Sequence, residues 1–253
     1  MSSKIFPGQV SDFNMAVRLG QVPGVTALNI QGHATAMGTG LQTVWSGGAS
    51  LASTALLGTP ATVKVSSSSG TDAAAQTGAL TALLSGVSST NVAQSETITL
   101  TGQTAVTSSL TYKGINGLTV VTAGSGLKNV GNLWVGNGSI SSGVPATKFY
   151  VTEAGDCNGD TGTYTVAAGT ALHITQVIMM VADTAKFVDI QLTVNDGSVN
   201  RIIAHFELGQ GDFTSPAIAA PAIPAGSLVA AQGLVNTGTA DVAVLIGGYL
   251  VDV

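Results

Sequence analysis

The sequence predicts an all-β fold, and three observations lead to this prediction. Charged residues make up only 8% of the 253 residues, whereas an ordinary soluble domain carries about 25%. Lys, Glu and Arg, which favour helices, are scarce, while Val, Ile, Thr and Gly are abundant. Runs of strand length recur along the chain with turn residues between them. We expect no internal disulfide, because Cys157 is the single cysteine.

Residues 1–44 are predicted to form an extended N-terminal arm. The stretch contains Pro7, Pro23 and the glycine-rich run GHATAMGTG, and it shows no sustained helical or strand period. Such an arm needs a surface on which to lie. We expect it to wrap its own domain or to reach a neighbouring subunit.

Residues 45–140 are predicted to form a second, small β domain. Gly102 and Gln103 separate two Thr- and Val-rich runs, which indicates a hairpin turn, and the composition of 66–78 is typical of a loop. The Gly-, Asn- and Ser-rich segment 136–146 is the predicted domain boundary. The strand-length runs are ATVKV (61–65), ALTALLSGV (79–87), SETITL (95–100), QTAVTSS (103–109) and GINGLTVV (114–121).

Residues 146–253 are predicted to form a β-sandwich of jelly-roll or immunoglobulin-like type. Six strand-length runs follow one another at near-regular spacing, and several of them are apolar at alternate positions. The sequence NDG at 195–197 indicates a hairpin turn between two of these runs. The C-terminal half therefore predicts the clearer of the two β domains.

Several long segments resemble a family of tailed-bacteriophage virion proteins. These segments are VPGVTALNIQGHA, VWSGG, SSSSGTDAAAQTGALTALLSGV, SETITLTGQTAVTSSLTYKGINGLTV, KNVGNLWVGNG, TYTVAAGTALHITQVIMMV and AIPAGSLVAAQGLVNTGTADVAVLIGGYLVDV. Together they cover most of the chain in a fixed order. The resemblance implies a capsid-associated or other structural component of the particle.

From these observations we expect a non-enzymatic virion protein, either a capsid decoration (cement) protein or a minor capsid protein. Its expected partners are further copies of itself, as a homo-oligomer, and the major capsid protein or other virion proteins. Strand edges with little charge favour such contacts. We expect neither a nucleic-acid nor a membrane partner, because there is no dense basic patch and the most apolar stretch is interrupted by prolines. The N-terminus lacks a secretory signal, which predicts assembly in the host cytoplasm.

We expect no catalytic residue and no cofactor. His33, His173 and His205 are far apart, and none has the spacing of a metal or catalytic motif. The loop EAGDCNGDTG places four candidate calcium ligands at near-alternate positions, namely Glu153, Asp156, Asn158 and Asp160. The closing carboxylate of a calcium loop is missing, so a solvated acidic turn is the favoured interpretation and no metal is expected.

A receptor- or glycan-binding module of a tail or head fibre is the alternative function. Trp45 and Trp134 are the residues that suggest it, because an exposed indole can stack on a sugar. Burial in a β-sheet core or at a subunit contact is the more common fate of tryptophan. A glycan-degrading enzyme is less favoured, because no pair of carboxylates stands out on matched strands.

Overall fold

The computed structural model describes residues 13–48, 56–182, 186–209, 213–214 and 220–253. The first twelve residues of the predicted arm and residues 49–55 of the predicted small domain lie outside these ranges. The fold is all-β, as predicted, and the described residues form one short helix and seventeen strands. These are α1 (Phe13–Arg18), β1 (Val25–Met37), β2 (Gln42–Thr43), β3 (Leu56–Ala61), β4 (Lys64–Ser67), β5 (Ala79–Val87), β6 (Ala93–Thr99), β7 (Val106–Thr107), β8 (Tyr112–Ala123), β9 (Leu133–Ser141), β10 (Val144–Thr152), β11 (Thr163–Thr165), β12 (Thr170–Val181), β13 (Val188–Asn195), β14 (Asn200–Leu208), β15 (Phe213–Thr214), β16 (Leu228–Val235) and β17 (Ala240–Asp252).

The strands form four sheets. Sheet A has the order β1-β17-β12-β15, and sheet B has the order β11-β16-β13-β14 with β2 paired to β16. Sheet C has the order β3-β8-β5-β6, and sheet D has the order β10-β9-β4-β7. Each strand pairs with its neighbours in antiparallel fashion.

Two large hydrophobic cores divide these sheets into two units. One core joins side chains of sheets A and B, including Met37, Leu172, Ile190 and Ile246, and we call these sheets the terminal unit. The other core joins side chains of sheets C and D, including Leu84 and Val135, and we call these sheets the inserted unit. The described part of the chain begins in the terminal unit, forms the inserted unit from β3 to β10, and then returns to the terminal unit.

The predicted N-terminal arm contains a full strand of the terminal unit. β1 pairs with β17 from Val25 opposite Val251 to Ala34 opposite Val242. Its buried positions are Ile30, Gly32, Ala34 and Met37, and two of these carry little or no apolar side chain. The alternation of a strand is therefore weak in the sequence. The described part of the arm packs within its own unit.

The predicted boundary at 136–146 is wrong, because these residues lie within a β-hairpin. β9 and β10 pair across the turn Ser142–Gly143, whose φ values are 47° and 77°. Two successive positive φ values are those of a type I′ turn, which matches the twist of the strands it joins. The chain passes between the two units before β3 and after β10.

The two hairpin turns predicted from short motifs are confirmed. Thr101 and Thr104 form an antiparallel bridge around Gly102 and Gln103, and Gly102 has a φ of 69°. The NDG motif lies in the hairpin that joins β13 to β14, where Gly197 has a φ of 90°. In both turns glycine adopts a backbone conformation that other residues rarely tolerate.

Candidate functional site

A cluster of three ionisable side chains lies where the chain returns from the inserted unit to the terminal unit. His33, Glu153 and Asp160 each offer one ligand atom, and these atoms lie within 4.8 Å of one another. His33 is on β1, Glu153 follows the end of β10, and Asp160 precedes β11. The return segment 153–162 therefore supplies both carboxylates, and the first strand of the chain supplies the imidazole.

Gly32 allows the return segment to approach β1. Thr161 forms an antiparallel bridge with Gly32, next to His33. A Cβ atom on Gly32 would collide with the carbonyl oxygen of Val44 and would lie 2.8 Å from the Cα of Gly162. Only glycine leaves room here for the backbones of residues 32, 44 and 162 to lie side by side. This close approach places Asp160 beside His33.

Asp241 orients the imidazole of His33. The Nε2 atom of His33 lies 2.8 Å from Oδ1 of Asp241 on β17, which is hydrogen-bond distance. Nδ1 faces the other way and lies 3.7 Å from Oε1 of Glu153. Burial lowers the pKa of His33, but the hydrogen bond to Asp241 and the charges of Asp241, Glu153 and Asp160 outweigh it, so the pKa lies above its ordinary value.

The two carboxylates of the cluster contain buried oxygen atoms without hydrogen-bond partners. Within the described residues, Oε1 of Glu153 and Oδ1 of Asp160 have no such partner. Burial and then the charge of Glu153 raise the pKa of Asp160 to about 7. The cluster therefore combines an imidazole with two close carboxyl groups, and it has the chemistry either to share a proton or to bind a cation.

A surface cavity of about 300 Å³ lies beside the cluster. His33 and Asp160 line it together with apolar side chains of β12 and β17, among them Ile178, Met180 and Leu245. Two of the three ionisable groups, His33 and Asp160, thus border a solvent-accessible space.

The structure separates the four side chains predicted as calcium ligands. Glu153 and Asp160 belong to the cluster, whereas Asp156 and Asn158 are exposed on the return segment. The sequence did not indicate His33 as their neighbour, because 120 residues separate it from Glu153 and no motif spacing connects them. Only the pairing of β1 within the terminal unit brings the imidazole to this place.

The other two histidines lie elsewhere. His205 on β14 has Nε2 3.4 Å from Oδ1 of Asp189 on the neighbouring β13. His173 lies on β12 and is half-buried. Neither belongs to the group of three ligand atoms.

Both tryptophans are buried, as expected for residues that pack. Trp45 is 4% exposed and Trp134 is 5% exposed. They form a small core with Val151 of β10 and Leu228 of β16, which lies between the two units. Neither indole presents a face to solvent on which a sugar could stack.

Comparisons with protein-family models, with curated proteins and with solved structures find no match in any of the three. In the part of the chain that the structure describes, no helix combines the length and the apolar character needed to cross a membrane. The resemblance to tailed-phage virion proteins therefore stays a prediction from the sequence segments quoted above.

Proposed function

We propose that this chain is a non-enzymatic structural component of a tailed-phage virion, a capsid decoration or minor capsid protein that acts through subunit contacts. Its terminal unit is a jelly roll, and the inserted unit is placed between the first two strands of that jelly roll. The low charge and the family resemblance support the virion assignment. The observation that carries the proposal is the outer edge of sheet B.

Strand order supports the jelly roll. In that fold the first strand lies beside the eighth, followed by the third and the sixth, while the second lies beside the seventh, followed by the fourth and the fifth. Counting β1 as the first strand and β11 to β17 as the second to the eighth reproduces both orders, in sheets A and B respectively. Jelly rolls occur in viral capsid and lectin domains, so the fold is compatible with the proposed role.

The outer edge of sheet B is suited to a protein partner. β14 is the last strand of the sheet and pairs only with β13 among the described strands. Ile202 on β14 is 57% exposed, and Val199 in the preceding turn is 48% exposed. An unpaired strand edge with exposed apolar side chains favours strand addition or sheet contact with another chain. We therefore assign β14 as the principal contact edge.

The two tryptophans that suggested glycan binding are buried, so they do not support that alternative. Trp45 and Trp134 pack against each other at the joint of the units. A fibre module would need a different surface for sugar recognition.

The experiment compares self-association and capsid binding for two matched variants. Ile202→Lys places a charge on the proposed contact edge, and Leu127→Lys places the same charge on a turn of the inserted unit, where Leu127 is 81% exposed. Light scattering after size-exclusion chromatography measures the oligomer, and sedimentation with expanded tailed-phage capsids measures binding. We expect the wild type and Leu127→Lys to associate and Ile202→Lys to lose association. A wild-type chain that stays monomeric and does not sediment with capsids refutes the proposal, and binding to a glycan array instead favours the fibre module.

A further inference from the structure

We propose that His33, Glu153 and Asp160 bind a divalent transition-metal ion, with Zn²⁺ as the probe that the donor set fits best. This site is independent of the proposed virion role, because none of its residues lies on the contact edge β14. The ion would bridge β1 and the return segment 153–162.

The donor set has a suitable number and arrangement of ligands. One imidazole nitrogen and two carboxylate oxygens lie within 4.8 Å of one another and come from two segments, β1 and the return segment. Zinc binds imidazole nitrogen and carboxylate oxygen at about 2.0–2.2 Å, so ligand atoms around one ion lie about 3–3.5 Å apart. Small side-chain rotations of Glu153 and Asp160 would bring the three atoms to this spacing. The adjacent cavity leaves room for a water molecule as the fourth ligand.

Asp241 supplies the support that metal-binding histidines usually have. A ligating imidazole donates its second N–H to a carboxylate or carbonyl group, which fixes the ring and its tautomer. His33 has this arrangement, with Nε2 at 2.8 Å from Oδ1 of Asp241 and Nδ1 directed toward Glu153. With the proton on Nε2, the lone pair of Nδ1 points into the cluster.

Two unpaired oxygens provide independent support. Oε1 of Glu153 and Oδ1 of Asp160 are buried and have no hydrogen-bond partner within the described residues. Buried polar atoms are nearly always paired with protein groups, water or an ion. A cation between them would satisfy both oxygens and would remove the repulsion between the two carboxylates.

The ligand types favour a transition metal over calcium. Calcium takes six to eight oxygen ligands, typically several carboxylates and carbonyl groups. Here an imidazole takes one of three positions, and imidazole suits Zn²⁺ and its neighbours in the first transition row. Asp156 and Asn158, which a calcium loop would use, are exposed.

The test is isothermal titration of the untagged, chelator-treated chain with Zn²⁺ and, in parallel, with Ca²⁺. We expect one Zn²⁺ per chain and at least about tenfold weaker binding of Ca²⁺. His33→Gln and Asp160→Asn should abolish the site, and Asp241→Asn should weaken it about 10- to 100-fold. The matched control is His205→Gln, which alters another His–Asp pair far from the cluster. This variant should bind like the wild type.

A second readout uses Co²⁺ as a spectroscopic substitute for Zn²⁺. Visible absorption bands of a nitrogen- and oxygen-ligated Co²⁺ should appear at one equivalent and disappear in Asp160→Asn, an isosteric change that tests the site even if His33→Gln does not fold. Circular dichroism establishes that each variant is folded. Absence of stoichiometric Zn²⁺ binding by the wild type overturns the proposal. Full retention of binding in folded Asp160→Asn, or tighter binding of Ca²⁺ than of Zn²⁺, overturns it as well.

Discussion

Trp45 and Trp134 pack edge to face at the joint of the two units, with ring centroids 6.5 Å apart and ring planes at 89°. Trp45 follows β2, at the point where the chain leaves the terminal unit, and Trp134 belongs to β9 of the inserted unit. Nζ of Lys148 lies 4.8 Å from the centroid of the Trp134 ring and donates to the carbonyl oxygen of Gly47. The two tryptophans therefore connect the units, and the ammonium group of Lys148 packs over the ring of Trp134.

Replacing Trp134 with alanine should destabilise the joint. Truncation of a buried tryptophan typically lowers the free energy of unfolding by about 3–5 kcal/mol. Because the lost contacts lie between the units, we also expect the single unfolding transition to broaden or to split in two. Urea unfolding followed by circular dichroism measures both effects. Leu127→Ala, at an exposed turn, should change stability by less than about 0.5 kcal/mol. A loss below about 1 kcal/mol for Trp134→Ala would contradict the assigned role.

Asp72 organises the loop between β4 and β5. Its carboxylate is fully buried and accepts four hydrogen bonds. Oδ1 accepts from the backbone N–H groups of Ala79 and Val130, both at 2.8 Å. Oδ2 accepts from Oγ of Ser67 at 2.6 Å and from the N–H of Gly131 at 2.8 Å. A single side chain thus connects two loops of the inserted unit.

Asp72→Asn should be strongly destabilising although it preserves size. One side of the carboxamide is an NH₂ group, and it would face two donors instead of accepting from them. Leaving buried donors unpaired costs about 1–3 kcal/mol for each group, so we expect a loss of about 2–4 kcal/mol. Chemical denaturation measures the loss, and Asp156→Asn, at an exposed position, is the control. Equal stability of the two variants would show that the four hydrogen bonds contribute little.

Local sequence patterns predicted part of the inserted unit. The strand predicted at 79–87 coincides with β5, and those at 95–100 and 114–121 overlap β6 and β8. The run 61–65 instead crosses the break between β3 and β4, and the run 103–109 contains only the two-residue β7. The turn at Gly102 has the expected conformation. These features depend on neighbours in the sequence, namely strand-forming residues and a glycine with positive φ. They could therefore be predicted without knowledge of the tertiary structure.

Long-range organisation could not be predicted in the same way. β1 is hard to recognise because Gly32 and Ala34 occupy two of its four buried positions. The Gly-rich run at 136–146 has the composition of a linker although it forms a hairpin. The site shows the same limit. Glu153 and Asp160 are close in sequence, but His33 joins them only because the terminal unit is formed from both ends of the chain. The spacing of these residues in the sequence does not predict that His33 lies beside Glu153 and Asp160.

Glu96 should make the stability of the inserted unit depend on pH. Its carboxylate accepts hydrogen bonds from the N–H and Oγ of Ser109, from the N–H of Leu110 and from the hydroxyl of Tyr112. Burial raises the pKa of Glu96, but these hydrogen bonds outweigh it and hold the pKa below its ordinary value. The folded state therefore binds this proton less tightly than the unfolded state. The stabilisation is present above the ordinary pKa and is lost as the pH falls through the lowered one.

Glu96→Gln should therefore cost stability near neutral pH and become harmless in acid. Hydrogen bonds to a charged acceptor suggest a loss of about 1–2 kcal/mol at pH 7. The difference from the wild type should shrink as the pH falls below about 4. Unfolding curves at several pH values measure this difference, and Glu207→Gln on the exposed face of β14 is the control. A difference that stays constant with pH would exclude the proposed charge effect.

Asn116 should stabilise the second contact between the units. It lies on β8 of sheet C, and Thr165 lies on β11 of sheet B. The Asn116 amide donates to the carbonyl oxygen of Thr165 at 2.9 Å and accepts from its N–H at 2.8 Å. The side chain therefore pairs with a strand as a neighbouring backbone would, and it satisfies both peptide groups of one residue.

Asn116→Ala would leave the N–H and the carbonyl oxygen of Thr165 without these partners, so we expect a loss of about 1–3 kcal/mol. Asn116→Asp keeps the acceptor but places a carboxylate oxygen against the carbonyl, so it should retain the bond to the N–H and lose the other. Amide hydrogen exchange distinguishes the two, because exchange of the Thr165 N–H should accelerate in Asn116→Ala and remain slower in Asn116→Asp. Asn200→Ala, at an exposed position of β14, is the control. Unchanged exchange at Thr165 in Asn116→Ala would show that the contacts around Trp134 hold the units together without the amide.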